Sequence, residues 1–199
     1  MSTGSKVVIV LLCVFGGIGL LCCGGLIYVG VQFQNSTSKD PAVVAEVTKK
    51  IVEIDIPKTY QPRASVNVDF WFIPMMRMRI VVYEGQGGGS LTMMEVVNRM
   101  GGGDDDRKKF KQQMRQQGQG GNVRDLDIKE SETREFTIRG QKARFSFRKG
   151  VDRETKVDFR EVNGTFDGKS EGSVVVLMLQ TPEEHYDEKA VVKMIRSIR

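Results

Sequence analysis

The chain has 199 residues, and 40% of them are hydrophobic, enough to build a packed core. Thirty basic and 25 acidic residues leave a net charge of +5 with both signs interleaved, so no basic stripe of the nucleic-acid-binding kind is present. The three cysteines, Cys13, Cys22 and Cys23, all precede residue 24, which excludes disulfides and thiolate metal sites from the rest of the chain.

Val7 to Val31 is a run of 25 residues without a charge. As a helix at about 1.5 Å per residue it would reach roughly 37 Å, more than the ~30 Å hydrocarbon core of a bilayer. Residues 1–33 are therefore expected to form a transmembrane anchor whose partner is the lipid bilayer. A cleavable signal has an apolar core of about 7–15 residues and a small-x-small end. This run is longer and closes on Tyr28-Val29-Gly30-Val31-Gln32-Phe33. Lipidation needs a small residue before the cysteine, whereas Leu12, Leu21 and Cys22 stand there. Lys6 and the terminal amine form a short flank without acids, so the positive-inside bias predicts a cytosolic N-terminus. The rest of the chain would lie outside the cytosol, in the periplasm if the source is bacterial. Gly17 and Gly24 permit helix association in the bilayer.

Residues 34–50 read as a polar tether and short helix, with Asp40 as N-cap, Pro41 in the first turn and Val43, Val44, Val47 and Ile51 at helical spacing. Residues 51–199 read as one exported α+β domain. Alternation predicts strands at Ile54–Ile56, Val66–Phe72 and Met76–Val82. A glycine-rich excursion, 85–122, brackets two expected helices, Ser90–Met100 and Asp104–Gln117. Strand character returns at Phe136–Ile138, Ala143–Phe147 and Val157–Phe159, the last turning back at Asn163-Gly164 or Asp167-Gly168. Ser173–Leu179, apolar on both faces, reads as the central strand. A last helix begins at Pro182 and carries Val191, Val192, Ile195 and Ile198 on one face. The expected architecture is an antiparallel sheet covered by helices on one or both faces.

Several motifs invite a functional reading. Gly164-Thr-Phe-Asp-Gly168-Lys169-Ser170 is one residue short of a P-loop and precedes a strand instead of a helix, so it reads as a hairpin turn. The glycine patches lack a dinucleotide fingerprint. Asp104, Asp105 and Asp106 read as a helix-start cluster, because consecutive helical side chains diverge and calcium-loop spacing is absent. Arg107, Lys108, Lys109, Phe110, Lys111 and Arg115 form a basic amphipathic patch, the candidate contact for lipid headgroups or a protein partner. His185 is the only histidine, so zinc and Ser-His-Asp chemistry find no support. Phe70, Trp71 and Phe72 could form an aromatic platform and read first as core. No catalytic, cofactor or metal residues are assigned.

The C-terminal stretch SVVVLMLQTPEEHYDEKAVVKMIRSIR resembles the closing motif of the PsbP-like and DcrB-like group. There a long apolar strand meets a Thr-Pro or Ser-Pro turn, an acidic stretch with an aromatic (here Tyr186), and a helix ending in Ser-Ile (here Ser197-Ile198). The early IVEIDIPKTYQP resembles the group's opening. The resemblance implies an α/β/α sandwich, PsbP-like, with an antiparallel sheet; it carries no catalytic residues and implies a binding or assembly role. Together these readings predict a single-pass, membrane-anchored, extracytoplasmic and non-enzymatic binding or assembly module. One alternative is a membrane-associated hydrolase or ligand-processing enzyme whose acids converge only in three dimensions. Another is a sensor of anionic lipid surfaces that uses 107–115.

Overall fold

A computed structural model of the chain describes residues 36–69, 76–98 and 124–199, together with positions 109, 112 and 113. The chain divides into two compact units, Met1–Thr37 and Ser38–Arg199. The second unit opens with helix α1, Pro41–Ile51. Asp40 caps it by accepting from the Ala42 amide at 2.8 Å, and Pro41 takes the first turn, where its missing N–H costs nothing. Val44, Val47 and Ile51 are buried, as their spacing requires.

Among the described residues eight strands make one sheet: β1 Thr37–Ser38, β2 Gln61–Asp69, β3 Met76–Glu84, β4 Ser90–Asn98, β5 Leu126–Ile138, β6 Gln141–Asp152, β7 Asp158–Asp167 and β8 Ser173–Pro182. Their order is β1-β2-β3-β4-β8-β7-β6-β5. The six pairings from β2 to β5 across this sheet are antiparallel. Two meanders, β2–β4 and β5–β8, thus meet along the central β4–β8 seam. Helix α2, Glu188–Arg196, follows β8 through a short 3₁₀ turn at Glu183–His185.

One face of the sheet carries the main core. Val44, Val47 and Ile51 of α1 and Val191, Met194 and Ile195 of α2 share a cluster with Val81, Leu91, Met93, Phe145, Val162, Leu177 and Leu179. Phe145 is fully buried, its ring over Gly164 where a Cβ would have to stand, so β7 needs glycine there. The opposite face holds a smaller cluster of Val96, Val174 and Val176, with Met78, Met94 and Met178 packed against it.

This corrects the expected α/β/α sandwich: among the described residues the domain is chiefly an eight-stranded antiparallel sheet, and helices α1 and α2 lie on one face of it. The predicted anchor at 1–33 lies outside the described residues, and among the described residues no helix is long and apolar enough to cross a membrane. The stretch expected as a helix, Ser90–Met100, is strand β4 as far as Asn98. Its apolar residues occur on both faces of the sheet, and such a run satisfies i, i+3, i+4 spacing by coincidence. Ile54–Ile56 is irregular instead of a strand. Glu53 there exchanges two backbone bonds with Arg199, 3.2 and 2.9 Å. Phe70–Phe72 and Asp104–Asp106 lie outside the described residues.

Candidate functional site

The β3–β4 connection is Gly85–Gly89. Gly87 and Gly88 have φ of +61° and +80°, left-handed backbone that an L side chain adopts only with strain. His185 packs beside Gly87, so the lone histidine serves as a wedge against this turn. Beyond the turn lies a cleft of about 510 Å³, walled by the ends of β3 and β4 on one side and by Arg124, Asp125, Asp152 and Glu154 on the other. That volume falls within the usual range for small-molecule sites.

Arg124 is the fixed point of the wall. Its guanidinium lies 4.7 Å from the centre of the Phe159 ring, donates to Asp152 Oδ2 at 3.0 Å and reaches the Gly88 carbonyl at 3.4 Å. Asp152 is 4% exposed, and its Oδ1 accepts from the Glu154 and Thr155 amides at 2.8 and 3.0 Å. The Thr155 amide, then the Arg124 guanidinium, hold this carboxyl below the usual aspartate range. Arg63 and Glu84 form an exposed 3.1 Å ion pair at the opposite lip.

The cleft continues into a polar row. Strand register aligns Glu84, Ser90, Gln180, Glu161, Arg148 and Ser131 across the sheet, on the face opposite α1 and α2. Glu161 is 1% exposed and accepts from Gln180 Nε2 at 2.7 Å, Asn163 Nδ2 at 2.8 Å and Arg148 Nη1 at 3.2 Å. The carbonyl oxygens of Gln180 and Asn163 are buried without a donor.

A second cleft, about 220 Å³, lies near the start of α2. Arg134 lies over Phe147 at 4.6 Å and bonds Glu132 and Glu188; Arg160 lies over Tyr186 at 5.6 Å and bonds Glu183. Burial pushes the Tyr186 hydroxyl up to about 12. At less than half the volume of the first, this cleft is the lesser candidate.

Of the basic patch singled out in the sequence, Lys109 is helical and exposed, while Arg107, Lys108, Phe110, Lys111 and Arg115 lie outside the described residues. Of the Gly164–Ser170 segment, expected as a hairpin turn, Gly164–Asp167 is the end of β7 and the turn follows it, and its lysine is engaged. Lys169 Nζ bonds Glu53 at 2.6 Å and the Lys49 carbonyl at 3.1 Å, and its amide caps the Ile51 carbonyl at 3.2 Å. It therefore closes the C-terminal end of α1. Among the described residues no three His, Cys, Asp or Glu side chains gather into a metal site.

Neither a protein-family model nor a curated protein matches the chain. The resemblance to the PsbP-like group thus rests on the quoted motifs alone. Among solved structures, LpqN, involved in cell envelope biogenesis of Mycobacterium tuberculosis, is similar over 73% of this chain and 76% of its own, at 12% identity and a TM-score of 0.31. A score that low assigns neither fold nor function.

Proposed function

We propose that the protein is a non-enzymatic binding module, attached to a membrane by its uncharged run Val7–Val31, with its ligand seated in the Arg124–Asp152 cleft. The observation that carries the reading is the immobilisation of Arg124 by a ring, a carboxylate and a carbonyl on the wall of a roomy cleft. Such a group is preorganised for recognition. Catalysis is less well served. A general base needs a free lone pair and a pKa near working pH. Asp152 instead accepts from three donors and is held acidic.

The test is affinity capture of the full chain from its native membrane, with Arg124→Ala alongside. A molecule retained by the natural protein and lost by the variant supports the reading. Identical captures from both would sink it. Membrane attachment has its own check: the chain should stay with membranes through an alkaline wash, and deletion of 1–35 should release it.

A further inference from the structure

We infer that the ligand of this cleft is a neutral, hydroxyl-rich molecule, a short oligosaccharide, held by hydrogen bonds and not by net charge. The inference rests on the cleft being the binding site and adds the class of ligand it takes. The make-up of the wall comes first. Small-molecule sites are lined mainly by apolar and aromatic side chains. Here only Val82 and Tyr83 are of that kind, and Tyr83 is 5% exposed with its hydroxyl against Thr48. An apolar ligand would find little to cover it, so affinity has to come from polar contacts.

The charges on that wall are largely paired already. Arg124 meets Asp152 at 3.0 Å, Arg63 meets Glu84 at 3.1 Å and Asp125 meets Arg153 at 3.1 Å. An anionic ligand drawn to Arg124 would lie beside Asp152, and a cationic one drawn to Glu154 would share the cleft with Arg124. A neutral polar group escapes both conflicts. Pairing leaves much hydrogen-bonding capacity unused. A guanidinium has five N–H donors, and Arg124 spends one on Asp152 and one, at 3.4 Å, on the Gly88 carbonyl. Three are left, on a side chain that is 31% exposed. The carboxylates of Glu84, Asp125 and Glu154 are exposed acceptors on the same wall. A hydroxyl donates and accepts at once, so neighbouring hydroxyls of a sugar ring can take a bond from Arg124 and give one to a carboxylate. Bonds of this kind to ionised groups are the stronger ones. Arg124 is also fixed in advance, by the Phe159 ring and by Gly88, where a Cβ would stand 3.2 Å from its Nη2, so little order is lost on binding.

The test applies the full chain, in a detergent whose headgroup is not a sugar, to immobilised oligosaccharides of three kinds: neutral, uronic-acid and amine-bearing. Neutral ones should retain it, equally at about 0.05 and about 0.5 M salt, because salt screens only charges. Arg124→Lys keeps the charge and loses the fork, so it should weaken retention about tenfold, and Glu154→Ala, at an exposed position, about threefold. Glu135→Ala, an exposed acid outside the cleft, should leave it unchanged. Thermal melts show whether the Arg124 variant is folded; if it is not, Glu154→Ala decides. A preference for uronic acids or amines that salt abolishes would overturn the neutral class. So would neutral retention indifferent to both cleft variants. No retention by any oligosaccharide, alongside a capture that Arg124→Ala does abolish, would overturn the hydroxyl-rich ligand and leave the cleft standing. Failure of that capture test would instead remove the cleft itself.

Discussion

Arg79 and Glu95 face each other across β3 and β4 at 2.7 Å, with Glu95 wholly buried and Arg79 8% exposed. The pair is incompletely satisfied, because Arg79 Nε and Glu95 Oε1 lack partners. Such a pair adds little over an apolar one, yet breaking it leaves a lone charge in the interior. Glu95→Ala is expected to lower stability by about 3–5 kcal/mol, read from urea unfolding. An unchanged midpoint would show that the arginine escapes to water. Asp152 gives a pH signature. Its folded pKa lies below the unfolded value, so its contribution is complete above roughly pH 4 and is lost as pH falls through the folded pKa. Urea midpoints between pH 7 and 2.5 should fall on the acid side, and Asp152→Asn should flatten part of that fall. None of the cleft residues was legible as a site. Glu84, Ser90, Arg124 and Asp152 are separated in sequence and meet only because strand ends assemble them. The one available signal was a glycine-rich turn between two strands.

At the scale of elements, helices and strands were legible where one period dominates. Helix α1 shows a clean stripe with Asp40 and Pro41 as a start signal. Strand β8 is an uninterrupted apolar run with Val174, Val175 and Val176, which suits the centre of a sheet. Strand β4 defeated the reading because Leu91, Met93, Met94 and Val96 leave no polar face to break the ambiguity. The role of Lys169 was hidden for another reason, since the carbonyls it caps lie some 120 positions away. Its exposed alkyl-ammonium is a lock on α1. Lys169→Met should cost about 1 kcal/mol and speed hydrogen exchange at the C-terminal turn of α1 while leaving β5 and β6 unaffected. Uniform acceleration everywhere would point to a general loss of stability instead.

The whole domain is organised by a chain order that differs from its spatial order. Its last strand, β8, is the one that joins the two meanders, pairing with β4 on one side and β7 on the other. Ser90 and Gln180 meet across about 90 residues of chain, a closure that local hairpins do not require. During synthesis this ordering has a cost. A nascent chain that has not yet delivered Ser173–Pro182 displays two long unpaired edges, β4 and β7, of the kind that invites pairing with other chains. Chains stopped before Ser173 should therefore aggregate or be degraded, and protease resistance should appear only after Pro182 has emerged from the ribosome. The keystone strand follows the seven others it completes, so the sheet stays open until Ser173–Pro182 has been made.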